Sequence, residues 1–498
     1  MAAADGPGRS RHELGGFKSD HEQLRQTTLL LPDNAAAPSY GSVESGNRPR
    51  PSTYKHEARV LFSYSVPLIL TSLLQYSINL SAIFSVGRIG RAELGAVSLA
   101  NTTFIISCLA PFQGLATSLD TLCAQAYGSG QKQLVGLQCQ RMVSFLFCLA
   151  VPVAGLWCVS EQVLRRLVSD HETARLAGLY LKIAIAGLPG LILFETGKRF
   201  VQAQRLFRST TYVLLVAAPV NFFLNWLLVY RLKLGFVGAP IALAVTQNLL
   251  ALLLILYVGL VKGKACWGGL DHRAFSNWWL MIRLALPSMI MVEAEWFAFH
   301  AVTILAGRFG TEFLAAQSVL MTLMSISFQL PFPMSIAAST RVANLIGGGR
   351  TEAAKLAAKV TFMTAAIIGL INLVIFVTLR ARLPLLFSRD DGVIALVARI
   401  SPVVALAQLF DSLSTGANGL LRGIGRQSVG GMAGLFAYYV VSLPVALALA
   451  FGLQWKLVGM WTGLSVGLFV VGLIEYSYLL RTDWSKATSE AARRNKAY

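Results

Sequence analysis

The chain of 498 residues is 55% hydrophobic and only 13% charged, with a mean hydropathy of +0.59, which leaves too little polar surface to cover a water-soluble globule of that length. A formal charge of +19 would suit a nucleic-acid binder, yet the Lys and Arg residues sit in short connectors between apolar runs and build no basic face with stacking aromatics. Composition excludes a soluble enzyme or a nucleic-acid reader and leaves a multi-pass protein of the lipid bilayer.

Residues 1–57 are rich in Gly, Ser, Pro, Ala and charge, cannot bury a core, and are predicted to be a disordered cytoplasmic tail. Their opening, MAAADGPGRSRHELGG, has no apolar stretch of the kind a cleaved signal peptide needs. Apolar runs of about 20 residues or more then recur about twelve times. The first six predicted spans are Val60 to Val86, Leu94 to Ala126, Met142 to Val159, Ala177 to Phe200, Thr210 to Tyr230 and Val237 to Val261. The second six are Trp278 to Ala306, Phe313 to Ile346, Ala354 to Thr378, Val393 to Leu421, Val429 to Gly452 and Leu457 to Leu480. Residues 58–262 therefore form one lobe and 278–481 another, joined by a cytoplasmic linker at 263–277 and followed by a cytoplasmic tail at 482–498. With the N-terminus cytoplasmic, inner connectors and flanks hold roughly 23 Lys and Arg against roughly 12 outside, which places both termini inside.

Trp157, Trp226, Trp278, Trp279, Trp455 and Trp461 fall near span ends, as an interfacial aromatic belt would place them. The six cysteines form no CxxC pair or His-rich cluster, so neither a metal nor a disulfide is expected. Asn79 and Asn101 begin glycosylation sequons, but both lie within spans.

The halves repeat. A shift of about 220 residues pairs Pro67 with Pro287, Gly87 with Gly307, Arg88 with Arg308, Pro111 with Pro331, Phe112 with Phe332 and Gly128 with Gly348. Over about 68 positions there are roughly 13 identities, where this composition would give about five. Six spans is an even number, so the second lobe re-enters in the same orientation and the repeat is parallel, about an axis along the membrane normal. Two such lobes enclose a cleft, and rocking them would expose it to each side in turn. Pro67, Pro111, Pro287, Pro331 and Pro189 fall within predicted spans, where each removes an N–H and is expected to kink its helix.

The stretch LGAVSLANTTFIISCLAPFQGLATSLDTLCAQAYGSGQ closely resembles the second-span signature of the multidrug and toxic compound extrusion (MATE) family, in its eukaryotic branch. GLPGLILFETGKRFVQAQ, LAAQSVLMTLMSISFQLPFPMSIAASTRVANLIGGG and LFDSLSTGANGLLRGIGRQ resemble the family's fourth-, eighth- and tenth-span regions. The resemblance covers roughly residues 58–480 and implies an all-α, V-shaped fold of twelve transmembrane helices in two lobes. It implies a secondary active antiporter, usually driven by protons, that exports xenobiotics, multiple drugs or secondary metabolites, mostly small cationic or amphipathic organic molecules. No cofactor, metal or nucleic acid enters such a reading; the partners are substrate, protons and the bilayer, and the chain is expected to work as a monomer in a plasma or vacuolar membrane.

The residues that could couple protons to transport are the acids within spans, because an ionised carboxylate at the bilayer centre costs at least about 2.5 to 3.5 kcal/mol. Glu293 and Glu295 lie in PSMIMVEAEWFAFHAVTILAG. Two residues apart is about 200° round a helix, so they face different ways. The resemblance places the family's first seventh-span acid at Glu295 and its second at His300, where this chain departs from the usual Glu. His300 titrates nearer neutrality than a carboxylate and is a candidate to share a proton network with Glu295. Gln75 is the repeat partner of Glu295 and cannot titrate. A local shift of about 216 residues pairs Glu195 with Asp411, one acid in each half. Glu195 has Lys198 and Arg199 at i+3 and i+4 and suits a self-paired ion cluster. Asp411 has only Gln408, Thr415 and Asn418 beside it, which can hydrogen-bond but not neutralise it, and the resemblance implies a functional acid in that region. Glu295 and Asp411 are therefore the leading coupling candidates. Asp120, in SLDTLCAQ, suits either a helix cap or packing at a gate.

Three rivals remain at this point. A sodium-coupled antiporter of the same fold would need several converging oxygen ligands. A flippase of lipid-linked precursors would line its cleft with cations. A membrane enzyme would need a catalytic constellation, and the sequence has no HExxH, GxSxG or P-loop.

Overall fold

Among the described residues, twelve helices are long and apolar enough to cross a membrane. The computed structural model describes residues 53–87, 89–167 and 170–496, all within one unit, Ser52–Tyr498; residues 1–52 of the predicted tail lie outside them. The spans are α1 Tyr54–Val86, α2 Glu93–Gly128, α3 Lys132–Cys158, α4 His171–Ala203, α5 Phe207–Arg231 and α6 Gly235–Leu260. The second lobe holds α7 Trp278–Phe309, α8 Thr311–Gly347, α9 Thr351–Thr378, α10 Asp391–Ile424, α11 Gln427–Gly452 and α12 Lys456–Arg481.

Local chemistry sets the ends. Thr53, Asp170 and Asp390 cap α1, α4 and α10 by accepting backbone N–H groups, and Gly310 takes φ 119° to turn α7 into α8. Three of the prolines mark changes of winding. A π turn at Ile105–Leu109 precedes Pro111 in α2, a 3-10 turn at Ile185–Gly187 precedes Pro189 in α4, and the chain turns at Gln329 and Leu330 before Pro331 opens the rest of α8. Pro67 and Pro287 sit inside helices that continue through them.

Four sequence expectations are corrected. Helix α1 starts at Tyr54, inside the predicted tail. Helix α3 starts at Lys132 rather than Met142, because its polar first turns are covered by protein: Gln138, Gln140 and Arg141 are buried, and Gln140 bonds Gly269 O at 2.7 Å and Asp271 N at 3.0 Å in the linker. There Arg273, bonded to Asp271, holds that carboxyl below its ordinary value. Trp157 and Trp461 do not belong to an interfacial belt. Both are fully buried and donate to interior oxygens, Trp157 to Ser107 Oγ and Trp461 to Gln317 Oε1, each at 2.9 Å. Finally, the tail expected at 482–498 is helical over most of its described residues. Asp483 caps a helix, α13 Trp484–Lys496, that buries Trp484, Ala487, Ala491 and Asn495 along one stripe.

The end of the bundle where α1 begins and α12 finishes is called the near end. There the lobes meet. α8 packs on α1 and on Ser118–Gly128 of α2, and α9 on α1, with Leu61 and Leu68 of α1 in one apolar cluster with Met334 and Ile336 of α8. Arg341 of α8 holds Glu57 of α1 through two hydrogen bonds of 2.8 and 2.7 Å. Gln125 of α2 donates to Gly423 O at 3.0 Å, and α13 spans the seam, with Arg494 donating to Gln125 Oε1 and Asn495 to Ser129 Oγ, both at 3.0 Å. Nearer the far end, Arg91–Phe104 of α2 packs on α4 and α1 of its own lobe.

Glu57 is 1% and Arg341 9% exposed. Arg341→Gln is expected to destabilise the protein by about 3–5 kcal/mol, because it strands a buried carboxylate, and Glu57→Gln in the same chain should recover most of that loss. Thermal unfolding of the single and double variants in detergent checks this; equal melting temperatures for wild type and Arg341→Gln would contradict it.

Candidate functional site

Three carboxyl groups gather inside the second lobe. Glu295 of α7 and Asp411 of α10 face each other, and Glu475 of α12 lies within electrostatic reach of Glu295. Helix geometry brings this about: Met291, Ala294 and Ala298 of α7 are buried, with Met291 and Ala294 beside Gly430 and Gly434 of α11, and this turns Glu295 into the lobe. Asp411 and Glu475 are fully buried, while Glu295 keeps part of its surface accessible. Neither oxygen of Asp411 nor of Glu475 makes a well-formed hydrogen bond. The expected bonds from Gln408 and Asn418 to Asp411 are not made: Gln408 accepts from Asn372 at 3.2 Å, and Asn418 Oδ1 has no partner.

Arg422, at the near end of α10, is the cation that reaches this cluster, acting on both Glu295 and Glu475. It donates to Ser335 Oγ at 2.9 Å and also feels Asp120 and Arg199 of the first lobe. Thr121 of α2 donates to the Arg422 carbonyl, and Gln427 donates to Thr121 Oγ1 at 2.6 Å. One arginine thus stands between the charged groups of both lobes, directly at the seam.

The first-lobe cluster is self-compensated, as the i+3 and i+4 spacing predicts. Glu195 takes Lys198 Nζ at 2.6 Å and Arg199 Nη1 at 3.2 Å, and Gln75 and Gln113 each donate to its Oε1 at 3.4 Å. Asp120 is 3.8 Å from Arg199 Nε. It sits in the first turn of the Ser118–Gly128 segment without capping it.

Glu293 and His300 are not brought to Glu295. His300 packs its ring on Trp296, centroids 6.2 Å apart, and about 140° of helix separates it from Glu295. Sequence reasoning missed Glu475 and Arg422. Each is a charge inside an apolar span, a signal that was present in GLIEYSYLL and GLLRGIGRQ.

Fold and site define an integral membrane protein of two repeated six-helix lobes, one carrying a neutralised ion cluster and the other an excess of buried carboxyl groups. The family model MatE matches residues 67–227 and 287–448, one copy per lobe, and the chain belongs to that family. An uncharacterized transporter of Schizosaccharomyces pombe is 40% identical over 88% of this chain and 81% of its own length, and human multidrug and toxin extrusion protein 1 is 31% identical over 89% and 78%. An uncharacterized transporter of Saccharomyces cerevisiae is 40% identical over 88% of this chain, which spans 63% of that longer protein. The crystal structure of the eukaryotic MATE transporter AtDTX14 superposes with a TM-score of 0.84 at 28% identity, covering 89% of this chain and 99% of that one. The relatives are named as transporters, which sets the chain apart from enzymes.

A Cβ on Gly430 would press on Met291 Sδ and come within 3.2 Å of both Asn418 Oδ1 and Glu475 Oε1. Gly430→Val should therefore cost about 1–3 kcal/mol and disable transport, whereas Gly472→Val, at a position with open space, should do neither. Melting temperature and liposome uptake, measured side by side, check the contrast.

Proposed function

We propose that the protein is a proton-coupled antiporter that exports small organic cations and amphipaths by alternating access of its two lobes. The observation that carries this reading is the charge imbalance in the second lobe, where the buried Asp411 and Glu475 lie with the part-accessible Glu295, and one arginine, Arg422, acts on Glu295 and Glu475. Carboxyl groups taken out of water favour their neutral form. Such a cluster holds protons more tightly when it is closed off from water than when water reaches it, so that the side it faces decides loading or release. Losing its charge also removes the attraction for a cationic substrate, so proton and substrate exclude each other.

The positive-inside pattern assigns the near end to the cytoplasm. The seam at that end is then the inner gate, and the far end of the cleft opens outward, where protons are loaded and substrate leaves. One proton crossing 100 mV supplies about 2.3 kcal/mol and each pH unit about 1.4. A monovalent cation exchanged for one proton draws on the pH term alone. Both lobes and the whole cluster come from one chain, which fits a working monomer.

The test is uptake of a fluorescent organic cation into sodium-free proteoliposomes under an imposed pH gradient. Wild type should move the cation against the proton flow, and Glu295→Gln, Asp411→Asn and Glu475→Gln, each nearly isosteric, should each lower the rate by at least about tenfold, the range one lost proton-transfer group commonly covers. Movement only with sodium, or full activity in all three variants, would overturn the reading.

A further inference from the structure

Helix α13 follows the second copy of the repeat, and its two sides are held in different ways. On the side of the second lobe, Trp484, Ala487 and Ala491 share one apolar cluster with Leu345 and Ile346 of α8, Ala354 of α9 and Leu421 of α10. Thr488 Oγ1 pairs with Thr351 Oγ1 at 3.0 Å, and Arg426 donates to Glu490 Oε1 at 2.8 Å. Towards the first lobe the helix offers polar groups from its last turn. Arg494 donates to Gln125 Oε1 at 3.0 Å, and Asn495 Nδ2 donates to Ser129 Oγ at 3.0 Å and to the Gln125 carbonyl at 3.3 Å.

These two attachments respond differently to water. Apolar side chains pulled out of a core lose their burial with nothing in return, whereas amide and guanidinium donors drawn off a seam exchange protein partners for water at little net cost. The apolar side therefore stays with the second lobe, and the polar side is the one that can let go. Room for that movement lies beside it. A cavity of about 400 Å³ at the near end is lined by Asn495 and Lys496 of α13, Gln131 and Gln133 of the first lobe, and Gly268 and Arg273 of the linker, so the last turn of α13 is not packed on every side. The residue it grips is central to the closed seam: Gln125 also donates to Gly423 O, and Gly347 rests on its carbonyl.

We propose that α13 is a built-in strap: the second lobe lays it across the closed seam, and Arg494 and Asn495 must release Gln125 and Ser129 before α2 and α8 can part. The strap biases the protein toward the conformation closed at the near end and slows opening there. It rests on the alternating-access part of the proposed function and is independent of the coupling ion.

Thiol labelling of the purified full-length protein in detergent tests it. Ala343 of α8 is fully buried among first-lobe side chains, so Ala343→Cys introduces a thiol that a polar maleimide meets only when α2 and α8 separate. In that background, Arg494→Ala with Asn495→Ala should raise the labelling rate at position 343 by about tenfold or more, since it removes one charged and one neutral donor from the seam. Arg493→Ala, which removes the same charge from the exposed side of the same turn, should leave the rate unchanged. Native Cys108, fully buried within the first lobe, is read by mass spectrometry in the same samples and should stay unlabelled in every variant, which separates opening of the seam from unfolding. An unchanged rate at position 343 in the double variant, or labelling of Cys108 that rises in step with it, overturns the strap. A faster rate in a protein that shows no pH-driven exchange would uphold the strap and overturn the proton-coupled reading instead.

Discussion

The arrangement depends on a reciprocal contact between α2 and α8 at the near end. Gly128 lies directly on the Asn344 carbonyl, and Gly347 lies directly on the Gln125 carbonyl. A Cβ at either position would collide with backbone, so only glycine lets the two helices close to this distance. The contact is the internal repeat expressed as packing, since the two helices occupy equivalent places in the two lobes. Once they touch, Gln125 reaches Gly423 O, Thr121 reaches the Arg422 carbonyl, and Arg422 is pinned between the charged groups of both lobes.

That pinning explains why two lobes with one fold carry different chemistry. In the first, Glu195 and Asp120 face Lys198 and Arg199, so the positive and negative charges balance without solvent. In the second, Arg422 acts on Glu295 and Glu475, and Asp411 faces Glu295 beside them. A balanced cluster has little reason to change its proton content when the surroundings change. An unbalanced one is sensitive to whether water reaches it, and its single cation is held by the contact that must break for the near end to open.

Much of this was legible in the sequence, for identifiable reasons. Bilayer thickness imposes a minimum span length, so all twelve helices could be found from apolar runs alone. The facing of Glu293 away from Glu295, and the pairing of Glu195 with Lys198 and Arg199, follow from helical periodicity. Contacts between helices distant in the chain do not. Nothing in the local sequence shows that Glu475, in the last span, approaches Glu295 in the seventh, or that His300 stacks on Trp296 instead of joining Glu295. Trp157 and Trp461 lie at span ends as interfacial residues do, but the oxygens that satisfy their N–H groups come from other helices. Helix α13 was not legible because its polar composition concealed a buried stripe about three turns long, from Trp484 to Asn495.

Helix α13 adds a constraint on how the near end can part. It follows α12 after a short turn, so it travels with the second lobe, yet Arg494 and Asn495 are bonded to Gln125 and Ser129 of the first. Arg494 also lies against Gly425, whose φ of 77° ends α10 just beyond Arg422. Any separation of α2 from α8 must therefore extract these side chains from the seam, and it does so close to Arg422, the arginine that acts on Glu295 and Glu475. Opening the gate and re-exposing Arg422 become one event. In the proposed proton-coupled cycle, a change in the charge of the carboxyl cluster alters the hold on Arg422, and α10 runs as one continuous helix from Asp411 to that arginine and the seam beyond it.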